Sequence, residues 1–234
     1  MNKTSRFGGY PEAGFQFLAG LAENNNKAWF EAHKEAYQRD LLEPSLAFVE
    51  TIGAQLQTIV PELRMDTRTN GRGNLMRIHR DTRFSQDKTP YKTAVSALFW
   101  QGDGKKTECP AFGFQVDRQG MQLMAGLFAF SKEQLQQYRQ AVVDDKWGKA
   151  LVTAATTVTQ SGSYQLKGQH YKKTPQGYDP THERAEWLLY NGLYAHPQHS
   201  IALAQVCSPA IVDICLAHFQ NMAPVQQWLV QVLG

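Results

Sequence analysis

The chain has 234 residues, 42% hydrophobic and 19% charged, with 24 Lys and Arg against 21 Asp and Glu, for a formal net charge of +3. That length buries a sizeable core in one domain, and the composition is that of a globular protein rather than a disordered or repetitive one. No apolar run approaches the ~20 residues of a membrane span, and a pI near 8.7 falls short of a dedicated nucleic-acid domain.

Three cysteines, Cys109, Cys207 and Cys215, are an odd number without metal-ligand spacing, which argues against a disulfide framework or a zinc site. The expectation is a cytoplasmic protein with no cofactor and no metal. Lys3 and Arg6 ahead of FQFLAGLA imitate a secretory signal, but Pro11, Glu12 and Gln16 interrupt its apolar segment, so the stretch reads as a first helix.

In that helix Phe15, Leu18 and Leu21 have helical spacing, and Asn24-Asn25-Asn26 supplies turn and N-cap chemistry for a second, carrying Trp29, Phe30, His33 and Tyr37. Trp29 and Phe30 are read as core. Pro44 opens a third helix with an apolar stripe of Leu46, Val49, Ile52, Leu56 and Ile59, ending before Pro61.

From Leu75 the pattern moves to period two. It predicts a strand with Met76 and Ile78 turned toward the helices and Leu75, Arg77, His79 and Asp81 on the other face. A polar loop, Ser85 to Pro90, leads to a second strand, Ala94 to Trp100. Two further runs, Phe112 to Val116 and Met121 to Phe128, flank Asp117-Arg118-Gln119-Gly120 as a hairpin does.

Ser131 with Gln134 is a capping-box pattern for a helix through Leu135, Tyr138 and Val142, and Lys146 to Val158 forms another. The segment from Leu166 to Tyr178 reads as a basic, aromatic loop. Asp179-Pro180 then begins a helix with Trp187, Leu188 and Tyr190, and Ser208-Pro209 opens the terminal helices with Ile211, Ile214, Leu216 and Phe219. The class is α+β: N-terminal helices, a central antiparallel sheet of about four strands, and C-terminal helices.

Charge is concentrated in one place. Residues 64–92 carry eight Lys or Arg against three Asp, a local balance of +5, so the rest of the chain sums to −2. Clustered charge of one sign raises the local concentration of an oppositely charged ligand. Arg77, Arg80, Arg83, Lys88 and Lys92 are the candidate ligand-binding residues, because arginine presents a planar fork suited to phosphate or carboxylate and lysine adds a point charge.

The neighbouring Asp81, Asp87, His79 and Tyr91 are the candidate acid or base groups. An acid flanked by arginines is held ionised and orients them, which weakens it as a base near neutral pH. His79 reads as a hydrogen-bonding residue. His79-Arg80-Asp81 spells a kinase catalytic triplet, but Gln86 stands where that loop needs asparagine and the other kinase motifs are absent. Gly71-Arg72-Gly73 reads as a turn.

Four functions are compatible with this pattern. The first is binding of a small anionic ligand, whether phosphate ester, nucleotide or carboxylate. The others are an enzyme acting on that ligand by acid/base chemistry, nucleic-acid contact through residues 64–92 and through Lys167, His170, Tyr171, Lys172 and Lys173, and an internal ion-pair lattice with no ligand.

Asn24-Asn25 with Trp29-Phe30, the run Arg77 to Ser85 (RIHRDTRFS) and Asp87 to Thr93 (DKTPYKT) resemble the signature of the domain of unknown function family 2461. The resemblance extends to Ala125-Gly126, Arg139, Gly177-Tyr178-Asp179 and His182, covering about Phe15 to Tyr194. Glu183 departs from it, standing where family members often carry proline. What it implies is a single α+β domain without an assigned activity.

Overall fold

A computed structural model describes residues 7–233 of the chain; Lys3 and Arg6 lie outside the described residues. Helix α1, Glu12–Glu23, follows Pro11, which needs no N–H at a helix start, and it buries Phe15, Phe17, Leu18 and Leu21. Asn26 caps α2, Lys27–Ala32, by accepting from the Trp29 N–H at 3.0 Å.

The single helix expected through Tyr37 is broken. Helix α3, Lys34–Tyr37, is separate from α2, with His33 between them, and passes into a π-helical turn at Gln38–Leu42. Helix α4, Glu43–Leu56, then buries Phe48, Val49, Ile52 and Leu56, while Leu46 is only half-buried.

Five strands form one antiparallel sheet: β1 Val95–Trp100, β2 Ala111–Asp117, β3 Gly120–Leu127, β4 Tyr164–Gln169 and β5 Tyr190–Pro197, in the order β1-β2-β3-β5-β4. The β2–β3 turn at Arg118-Gln119 is fixed by Asp117, whose Oδ1 accepts from the Gln119 N–H at 2.8 Å. The segment expected as a loop from Leu166 is β4 as far as Gln169, and Tyr190, expected in a helix, starts β5. A Cβ on Gly192 in β5 would lie 2.1 Å from the Phe128 carbonyl oxygen, so glycine there permits a close approach of two backbones.

Contacts group the residues into two compact units. Unit 1 comprises the residues up to Phe99, Gly113–Gln122 and His199–Ala217. Its core joins Phe7, Tyr10, Phe48 and Phe114, with Phe48 5.1 Å from Phe7 and 5.0 Å from Phe114 between ring centres. Each such ring contributes on the order of 1.5–3 kcal/mol by burial. Cys215 is buried there 3.5 Å from the Met121 sulfur, and burial pushes its thiol up. Cys207 is half-buried, and Cys207 and Cys215 are free thiols.

Unit 2 comprises Trp100–Phe112, Leu123–Gln198 and the residues from His218 on. The expected capping box is present: Ser131 accepts from Gln134 N at the start of α5, Lys132–Val143, and Gln134 returns a bond to the Ser131 N–H. Asp144 caps α6, Asp145–Thr159, by accepting from Lys146 N and Trp147 N. Asp179 closes only a turn with Thr181, and the helix expected after it is a short 3-10 segment, Ala185–Leu189.

The C-terminal elements are α7, Leu203–Val206, and α8, Ile211–Leu233. Among the described residues no helix is long and apolar enough to cross a membrane.

Candidate functional site

The basic motif belongs wholly to unit 1. It is not the continuous strand that the period-two pattern predicts. Leu75 bridges Ala97 and His79 bridges Tyr91, both antiparallel, so four steps on one run (79 − 75) face six on the other (97 − 91). That mismatch leaves isolated bridges, supported by Met76 N–H to Ser96 O, Lys92 N–H to Ile78 O and Arg80 N–H to Pro90 O, each 2.8 Å. Leu75 and Ile78 are buried and Met76 is half-buried, which is not the expected alternation.

Two asparagines hold this irregular segment: Asn25, expected only to supply turn chemistry and as part of the family signature, and Asn74, which the sequence reading passed over. Asn25 Nδ2 donates to the Tyr91 carbonyl at 2.9 Å and its Oδ1 accepts from the Tyr91 N–H at 3.0 Å, so a side-chain amide stands in for a strand neighbour. Asn74, fully buried, accepts from Asp66 N at 2.6 Å and donates to Arg64 O at 2.9 Å and Leu98 O at 2.8 Å. The expected turn is present, with Gly71 at φ 85°, and a Cβ on Gly73 would lie 2.3 Å from the Arg68 carbonyl oxygen, so the backbone passes close there.

Tyr91 is clamped from the other side by Phe30, stacked at 4.1 Å and 14°. His79 lies at the rim of this pair, 5.1 Å from the Tyr91 ring and 6.2 Å from Phe30. Its ring makes no side-chain hydrogen bond among the described residues, contrary to its reading as a hydrogen-bonding group. Trp29 is half-buried and stacks on His33 at 3.9 Å.

The five cations separate into two groups. Arg80 is paired with Asp87 and also donates to Thr89 Oγ1. Arg83 grips Asp81 through Nε at 3.0 Å and Nη2 at 2.7 Å, and Lys88 donates to the Thr82 carbonyl at 2.9 Å. These three brace the loop. Arg77 and Lys92 have no carboxylate within salt-bridge distance among the described residues. Burial and, secondarily, the Arg77 charge push the Lys92 amine below its ordinary value, so the two cations feel one another.

The arginine bonds hold Asp81 at about 2, with the Arg83 N–H adding to the effect, and Arg80 with Thr89 holds Asp87 at about 2. Both aspartates are exposed, so the ion pairs form a surface brace and not the internal lattice that was one expectation. Burial raises the Tyr91 hydroxyl, with Glu31 contributing.

Both carboxylates are more acidic folded than unfolded, so their bonds contribute fully above the unfolded carboxyl value and are lost as pH falls through about 2. Hydrogen exchange is therefore expected to show the Arg83 and Thr89 amides, which donate to Asp81 and Asp87, losing protection between roughly pH 4 and 2 while the Phe99 amide keeps it. Simultaneous loss at all three amides would mean that the brace has no separate titration.

Phe84, another residue the sequence reading missed, is 95% exposed at the tip of this loop, with the Arg83 guanidinium 5.8 Å from its ring centre. Lys167, His170, Tyr171, Lys172 and Lys173 belong to unit 2, as do Arg139 and His182. Among the described residues no three His, Cys, Asp or Glu side chains converge as a ligand set for a metal.

Fold and motif define an α+β protein in which an irregular basic segment, pinned by asparagine side chains, carries a loop of paired and unpaired cations. The chain belongs to the domain of unknown function family 2461, described as a conserved hypothetical protein (DUF2461), and the match spans residues 13–228. It therefore runs beyond the Phe15 to Tyr194 covered by the motifs. No curated protein and no solved structure was found to match the chain.

Proposed function

We propose that the protein binds a small anionic ligand, a phosphate ester, nucleotide or carboxylate, with Arg77 and Lys92 as its direct contacts and Arg80, Arg83 and Lys88 shaping the loop beside them. The observation that supports this reading is the division of the cations: three are engaged within the loop, while Arg77 and Lys92 repel one another and form no salt bridge among the described residues, Arg77 reaching Asp81 only through its longer-range charge. An anion between them lowers that repulsion. We place the protein in the reducing cytosol, a reading supported by an odd number of cysteines without metal-ligand spacing.

The test is thermal unfolding with phosphate, a nucleotide and a dicarboxylate, for the wild type, Arg77→Gln and Lys92→Gln. A ligand at 100 times its Kd stabilises by about 2.7 kcal/mol, which is a shift of several degrees for a chain of this size. Arg77→Gln and Lys92→Gln are expected to lose most of that shift. Equal shifts in all three proteins would remove the motif from consideration.

Two other readings rest on particular observations. His79, exposed and free of side-chain hydrogen bonds, is the best placed acid or base if the ligand is turned over, because Asp81 and Asp87 are held too acidic and Tyr91 is buried. The enzyme reading requires turnover that His79→Gln abolishes while ligand binding survives. Exposed Phe84 beside Arg83 is the feature that favours nucleic acid, and that reading requires affinity falling steeply with salt.

A further inference from the structure

Arg139 lies on α5 in unit 2, outside the motif. Its guanidinium sits over the Tyr171 ring, 4.9 Å from the ring centre. Among the described residues it pairs with no carboxylate, and its enclosed Nε meets no acceptor. The residue as a whole is only half-buried, and neither Nη is among its enclosed unmet atoms. A guanidinium drawn partly out of water is ordinarily paired, because an unmet charged donor is penalised there.

The platform under it is fixed. The Tyr171 N–H donates to Leu189 O at 2.9 Å, its hydroxyl donates to Asn191 Oδ1 at 3.4 Å, and the His170 ring meets Tyr171 edge-on at 5.0 Å. Stacking holds an arginine flat through its face and leaves its donors unused. Exposed Lys172 and Lys173 follow Tyr171 in the chain, and neither pairs with an acid among the described residues. Glu186 acts on Tyr190 and does not pair with Arg139.

We infer that Arg139, seated on Tyr171, is the anchor of a second binding site, one that takes the phosphate of a phosphate monoester. The two Nη groups form a fork matched to two phosphate oxygens, and the positive charge of Lys172 and Lys173, next to Tyr171 in the chain, favours a dianion over a carboxylate. The site stands on residues of unit 2 alone and does not depend on the reading of Arg77 and Lys92.

The experiment uses phenyl phosphate as probe, with benzoate at matched ionic strength, followed by calorimetry and by 31P line broadening. All proteins carry Arg77→Gln and Lys92→Gln, so that the motif does not contribute. The parent is expected to bind phenyl phosphate in preference to benzoate, and Arg139→Lys, which keeps the charge and loses the fork, to weaken binding roughly tenfold or more. Tyr171→Leu, which removes the platform, is expected to weaken it as well and decides the matter if Arg139→Lys does not fold. No binding by the parent, benzoate binding as tightly as phenyl phosphate, or undiminished binding by the folded variants would each overturn the site.

Discussion

Asn74→Ala is expected to lower stability by about 3–5 kcal/mol, because it removes three hydrogen bonds to backbone groups, one buried and two part-buried, at roughly 1–3 kcal/mol each. Those groups are the Asp66 N–H and the carbonyls of Arg64 and Leu98. At this chain length the loss amounts to a fall in Tm of about 10 °C. Asn74→Asp separates the contributions: its carboxylate still accepts from Asp66 but cannot donate to either carbonyl, and it brings a charge into a fully buried position. Both variants should melt early by calorimetry. A fall of only a degree or two would mean that the Leu75–Ala97 pairing holds the segment without its asparagine.

Phe30→Ala is expected to cost about 3–5 kcal/mol, the usual range for emptying a buried aromatic site. Phe30 is 4% exposed, stacks on Tyr91 and also meets the rings of Phe17, Tyr37 and His79. Its removal leaves Tyr91 held by Asn25 and the bridge to His79 without its stacked partner, so the effect should reach the site: the His79 and Tyr91 ring resonances should broaden and ligand affinity should drop. Phe30→Leu keeps most of the volume and should recover more than half of the lost stability. A wild-type Tm in the alanine variant would show that Tyr91 is anchored without α2.

What could be read from the sequence was local. The apolar spacing of α1 and α4, the Ser131–Gln134 capping box and the Asp117 turn each depend on residues a few positions apart, and each is present. Strands β4 and β5 escaped because their partners are remote, Leu166 pairing with Ala195 and Leu127 with Leu193, and although β4 alternates in burial, β5 does not. The motif was legible as a charged cluster. The division between bracing and unpaired cations was not, because Arg80 could be assigned to Asp81 as readily as to Asp87. Asn74 gave no signal beyond composition, and Asn25, although part of the family signature, gave none of its partner, since Leu98 and Tyr91 lie 24 and 66 positions away from them.

The two units are interleaved along the chain, and this bears on the order in which the protein can be completed during synthesis. The motif is translated early, yet unit 1 also needs Gly113–Gln122 and His199–Ala217. At ~5–20 residues per second the basic segment waits on the order of ten seconds for the last of its own unit. Through that interval its bridges to Tyr91 and Ala97 and its amide clamps are already available within one stretch of chain, while the buried ring of Phe48 still lacks Phe114. The local brace can therefore set before the core closes, and a nascent chain stalled short of Ala217 would carry the finished loop on an unfinished body.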